Sequence, residues 1–127
     1  MSQVALTVNV TTTGSAGSAT GSATTPPIWG YLYKVKVDYH ASAPATTTVD
    51  VDEANGSARK VIDLAGANTD VTFHPRLEVQ DKTGADASAF EQFWFQGEKL
   101  TVAVAASDAL TNAVIVTLYI DGRVGSS

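Results

Sequence analysis

W-G-Y-L-Y-K-V-K-V-D-Y, residues Trp29–Tyr39, carries the clearest structural signal in the chain. Taken at every second position it gives Trp29, Tyr31, Tyr33, Val35, Val37 and Tyr39, while Lys34, Lys36 and Asp38 fill alternate places. Side chains along a strand point to opposite faces in turn, so this period of two predicts a β-strand with one aromatic and aliphatic face. A helix would scatter the same rings around its circumference. The aromatic face is expected inside, beneath an opposing sheet, because rings that follow the alternation bury the most apolar area.

Toward the N-terminus, Gln3–Thr12 alternates Val4, Leu6, Val8 and Val10 against Ala5, Thr7, Asn9 and Thr11, a half-buried strand. Thr13–Thr25 follows as T-G-S-A-G-S-A-T-G-S-A-T-T. Such small residues bury little apolar area against a backbone entropy of roughly 1–2 kcal/mol per residue. The segment is expected to be a flexible linker, which would let the first strand reach a neighbouring subunit. Pro26-Pro27 stiffens the exit into the central strand.

Toward the C-terminus, Thr46–Glu53 alternates again, Asn55-Gly56 supplies a tight turn, and Arg59–Leu64 returns as the second arm of a hairpin. Thr69–Gln80 contains Pro75, which cannot donate to a ladder, so it is an edge strand or is split by a kink. Lys82–Asp86 reads as a loop. Glu91–Gln96 carries Phe93, Trp94 and Phe95 in a row, so either both faces are covered there or one ring is presented to a partner. Lys99–Ala105 and Val114–Asp121 complete the set, the last with apolar residues on both faces and therefore expected to be central. About eight strands and no convincing helix predict an all-β fold, an antiparallel jelly-roll-like β-sandwich over 26–122. Residues 1–25 are expected as a flexible N-terminal arm and linker, and 123–127 as a short polar tail.

The totals narrow the function classes. The chain has 127 residues, enough for one core, and no cysteine, which removes disulfides and thiolate metal sites. No signal-peptide pattern opens it and no apolar run approaches a membrane span, so neither secretion nor a membrane partner is expected. A net charge of −5 argues against nucleic acid as partner. Residues 1–33 hold no charged side chain, and all thirteen acids lie at Asp38 or beyond. That neutral quarter is a solvated arm or a surface that another protein covers.

Catalytic and metal motifs are not found. His40 and His74 lack partners at ligand spacing, and an ordinary surface histidine is the simpler reading of each. Asp50, Asp52 and Gly56 sketch a calcium loop, but Ala54 and Val61 stand where oxygen ligands are needed, so an acidic strand entering a turn explains them better. No nucleophile motif occurs, and the acids lie on strand faces and turns. No enzyme activity, cofactor or metal is expected. Trp29, Tyr31, Tyr33, Phe93, Trp94 and Phe95 could build a sugar-stacking platform, although core packing is the simpler reading of most of them.

As a set, G-Y-L-Y-K-V-K-V-D-Y (30–39), A-P-A-T-T-T-V-D-V (43–51), K-V-I-D-L with N-T-D (60–70), H-P-R (74–76), G-E-K-L-T-V-A-V (97–104) and V-I-V-T-L-Y-I-D-G (114–122) resemble a known family. Over Trp29–Gly122 the chain is similar to the capsid decoration, or cement, proteins of tailed bacteriophages, which have β-sandwich folds. The resemblance implies a virion structural protein made in the host cytoplasm. It would bind the major capsid protein on the outer capsid surface, commonly as a homotrimer, and stabilise the shell. The group has no shared functional motif, so no residue role carries over. Val4, Leu6, Val8 and Val10 of the arm, with Trp94, are the expected partner-binding residues. Deleting 1–25 is expected to leave a folded domain that no longer attaches. The alternative is a tail or head-fibre module, or a carbohydrate-binding β-sandwich using Trp94 or Trp29.

Overall fold

The computed structural model describes residues 3–54 and 59–125. They form ten strands and no helix: β1 Gln3–Val10, β2 Ala19–Thr24, β3 Ile28–Tyr39, β4 Thr48–Glu53, β5 Lys60–Leu64, β6 Val71–Phe73, β7 Arg76–Gln80, β8 Asp86–Glu98, β9 Leu100–Ser107 and β10 Val114–Val124. The large sheet has the order β1-β10-β3-β8-β7, with β6 also paired to β3, and the small sheet the order β2-β9-β4-β5. Without β6 and β7, the antiparallel pairs β1·β10, β2·β9, β3·β8 and β4·β5 describe one long hairpin ribbon wrapped around a core. That is a jelly roll, the fold class expected from the alternating strands.

The core is aliphatic where the two sheets face each other. Val35, Val37, Val49, Val51, Val102, Val116 and Leu118 are fully buried and all come from alternating positions. β10 is central as expected, between β1 and β3. Its second face is half-buried by neighbouring side chains. Pro75 divides its segment into β6 and β7, so the kink is real. Beyond it, the Asp81 carboxylate accepts hydrogen bonds from the Thr83 amide (2.8 Å) and hydroxyl (2.6 Å), which hold its pKa below the usual range. The Asn55-Gly56 turn lies outside the described residues.

The N-terminal quarter departs from expectation in part. The strand expected over Gln3–Thr12 is β1, in unbroken register with β10 from Gln3↔Asp121 to Val10↔Val114, but Thr13–Thr25 is not a flexible linker, because it holds β2. Val8 and Val10 are buried, and Leu6 packs against the core. Of the expected partner-binding residues on this strand, Val8 and Val10 thus point into the core, while Val4 and Leu6 are half-buried at the sheet edge. The Gly/Ser/Thr run is ordered by backbone contact and threonine hydroxyls, with apolar burial confined to Ala19 and, in part, Ala23. Thr13 and Thr20 exchange amide–carbonyl bonds of 2.9 and 3.0 Å. The buried Thr12 hydroxyl accepts from the Leu110 amide at 3.0 Å, and the buried Thr25 hydroxyl accepts from the Leu100 amide at 2.9 Å. Gly21 lies so close to the Thr11 carbonyl that a Cβ would collide with it. Small size is what lets this edge close.

One core group is poorly served. The buried Tyr39 hydroxyl has no hydrogen-bond partner among the described residues. Burial, and then the nearby Asp70 carboxylate, raises its pKa above the ordinary 10.0. A raised folded-state value means this group's contribution is intact below about pH 10 and is lost as pH climbs through the folded pKa. Tyr39→Phe should be neutral or stabilising by up to about 1 kcal/mol at neutral pH and should blunt the alkaline loss. Thermal melts from neutral to alkaline pH check both.

Candidate functional site

The aromatic stretch does not lie on one face. β10 pairs Tyr119 with Lys34 but Ile120 with Leu32, so Tyr33 is an extra residue in β3, a β-bulge. The bulge shifts the alternation by one. After it, Val35, Val37 and Tyr39 point into the core as expected. Before it, Ile28 and Leu32 are the fully buried residues, and Trp29 and Tyr31 turn to the outer face of the large sheet. The expected inward aromatic face is thus corrected for Trp29 and Tyr31, while Tyr39 is buried as expected. The bulge also divides one edge of β3, with β8 paired to residues 28–32 and β6 to 35–37.

On β8, Phe93 and Phe95 are buried with their rings stacked (centroids 6.4 Å apart, interplanar angle 9°), and Trp94 between them points outward. Of the two readings open for these aromatics, covering of both faces is not what the fold adopts, since the Trp94 ring is exposed. Tyr31 and Trp94 are direct cross-strand partners, 39% and 45% exposed. Together they make an aromatic patch on a hydrogen-bonded sheet. Polar groups on neighbouring strands frame it: Asp121 pairs with Tyr31, while Gln96 and Arg123 both pair with Trp29.

The rest of the outer face is held by ring and cation contacts. Tyr33 and Tyr119 sit 6.2 Å apart at a tilt of 52°, and the Lys34 ammonium stands 4.3 Å over the Tyr119 ring. The Arg123 guanidinium stacks 4.0 Å over Trp29. Trp29 is seated against Gly97 and Gly125, where a Cβ would come within 3.4 and 2.7 Å of the indole. Its ring is already packed, which leaves Trp94 and Tyr31 as the accessible faces. Further along β8, Phe90 is 63% exposed.

An ion pair between a half-buried arginine and a buried glutamate anchors the patch from behind. Glu53, 5% exposed, accepts from the Arg59 guanidinium at 2.6 Å, and the same nitrogen donates to the Trp94 carbonyl at 3.1 Å. The guanidinium also lies 5.6 and 5.7 Å from the Phe93 and Phe95 ring centres. The hydrogen bond to Glu53 raises the Arg59 pKa further, so this cation stays charged. Arg59 thereby ties the small sheet, through β4, to the backbone that carries Trp94. Arg59→Ala leaves a buried carboxylate without this partner and should cost roughly 2–4 kcal/mol in a chemical-denaturation series. Arg59→Lys, which keeps the charge but not the forked geometry, should recover only part of it.

The other sequence candidates are not brought together. His40 is exposed and uses Nδ1 to accept the Ser42 amide at 3.0 Å, and His74 is exposed on the short link between β6 and β7. Asp50 and Asp52 lie on the small sheet, 3.3 and 3.4 Å from the Lys60 ammonium. Among the described residues no group of three or more His, Cys, Asp or Glu is placed to hold a metal. The pairing of Tyr31 with Trp94 was not read from sequence. Its signal was the second apolar set, Ile28 and Leu32, which competes with Trp29 and Tyr31 for the inner face.

No protein-family model and no curated protein matches the chain. A solved structure described as "CBM4 structure and function" aligns with 98% of this chain and 84% of its own, at 15% identity and a TM-score of 0.35. A similarity that weak says nothing of function.

Proposed function

We propose that this chain is a non-enzymatic binding β-sandwich whose recognition surface is the outer face of the large sheet at Tyr31 and Trp94, with a saccharide as ligand. The observation that carries the reading is the pair of exposed, cross-strand rings framed by Asp121, Gln96 and Arg123. Saccharide rings present C–H faces that stack on the negative face of an aromatic ring, and their hydroxyls need polar partners at the rim. A firm sheet bearing the rings keeps the ordering cost of binding low.

Titration with a panel of cell-surface glycans, read by intrinsic fluorescence, tests the reading. A saccharide that binds should change the tryptophan emission. Trp94→Ala should abolish that response, and Tyr31→Ala should weaken binding roughly tenfold or more. Both variants should keep the wild-type melting temperature within a few degrees, since neither ring is buried. No response to any glycan would sink the saccharide reading.

Capsid decoration, the role implied by the family resemblance, is the second reading. It is favoured by the neutral surface of β1 and β2, the edge strands on one side of the two sheets, in a chain that is otherwise acidic. In that role the protein would sit on the outer capsid surface and hold the major capsid protein through that side. Mass spectrometry of purified particles tests it: absence from intact virions would end it.

A further inference from the structure

We propose that the free edge of β1 is the surface through which two copies of this chain pair, antiparallel and strand to strand. A sheet edge presents unpaired backbone amides and carbonyls, and folded proteins guard such edges with charges, proline, bulges or short strands. Besides the three-residue β6, which pairs only with β3 and stops short of Pro75, four strands end the two sheets among the described residues, and three of them are guarded. β7 follows Pro75, carries Arg76 and has a register shift before Gln80. β5 is a five-residue strand carrying Lys60 and Asp63, with a shift opposite Val51/Asp52. β2 is six residues long and irregular between Ala19 and Gly21. β1 differs from all three: it runs eight residues in unbroken register with β10 and has neither charge nor proline.

The side chains fit a second copy as occupant. Away from the core, β1 exposes Gln3, Ala5, Thr7 and Asn9, which are small or neutral. The protein carries a net charge of −5, so most of its surface would repel itself, but residues 1–33 have no charged side chain to do so. Val4 and Leu6 are only half-buried at this edge. Antiparallel pairing about a two-fold axis would cover them with their symmetry mates and extend the apolar layer across the join. Such an axis stands perpendicular to the sheet and keeps both outer faces on one side. The two Tyr31–Trp94 patches would then face the same way, with their β3 strands about 24 Å apart across the sheet. The pairing does not depend on saccharide binding, but it would make any such binding bivalent.

Sedimentation velocity across a wide concentration range tests the pairing. Wild type should show a dimer, and Ala5→Lys/Thr7→Lys, which places charges only at exposed positions of β1, should remain monomeric. Gln92→Lys on β8 should leave the dimer intact. Circular dichroism reports whether the double variant is folded. If it is not, hydrogen exchange of wild type decides, because amides of 3–10 should gain protection as concentration rises. A wild-type chain that is monomeric throughout, with no such protection, overturns the proposal and leaves the edge for a strand of another protein. A dimer that survives the two lysines in a folded variant overturns it equally.

Discussion

Removal of residues 1–25 is expected to unfold this domain. The segment looks dispensable by composition, yet it supplies an edge strand to each sheet. Val8 and Val10 are 7% and 1% exposed, and burial of such side chains stabilises by roughly 1.5–3 kcal/mol each. Leu6 and Ala23 add partial burial. The deletion also strips β10 and β9 of a partner, which uncovers backbone groups and the flanks of Leu118 and Val102. The summed loss rivals the whole stability of a typical domain, about 5–15 kcal/mol. Circular dichroism and a thermal melt of 26–127 should show no cooperative transition. A truncated chain that melts like the full one would mean that β1 and β2 are accessory. Loss of partner binding by this truncation would say nothing of where a partner docks.

Gly30→Val is expected to be the most damaging single substitution near the aromatic patch. Gly30 has φ +128°, and a Cβ there would collide with the Asp121 carbonyl. Its cross-strand partner Gly122 is in the same position against the Trp29 carbonyl. The two glycines let β3 and β10 approach closely just before the bulge that turns Trp29 and Tyr31 outward. A branched side chain must force the strands apart and also adopt a disfavoured backbone conformation, at a cost of about 3–5 kcal/mol. Gly17→Ala is the control. Gly17 has φ +81° but no atom within 4 Å of its Cβ position, so it should lose only about 1 kcal/mol. Equal losses in denaturant melts of the two variants would remove close approach as the cause.

Much of the architecture was legible because its residues carry their own period. Val49, Val51, Val102 and Val104 alternate with polar or small residues, and each is buried where that alternation places it. Pro75 announced its break, since a residue without an amide hydrogen cannot sit inside a ladder. Thr13–Thr25 was misleading for a physical reason. Its order comes from hydroxyls at its two ends, Thr25 bonding the distant Leu100 backbone and the preceding Thr12 that of Leu110, and from glycine-sized gaps, none of which leaves a local pattern.

Trp29–Tyr39 divides the same way. That this segment is a strand follows from its residues alone, because only a period of two accounts for its alternating rings, valines and charges. The same pattern sets the inward face from Val35 to Tyr39, where the opposite positions are charged. The first half depended on long-range pairing. Ile28 and Leu32 compete with Trp29 and Tyr31 for the core, and both sets are apolar, so the local pattern has two solutions. The register against β10, with Gly30 facing Gly122 and Tyr33 bulged out, selects the one that places Tyr31 beside Trp94 on the outside. A strand's period follows from its own covalent geometry, whereas its phase depends on which neighbour it pairs with.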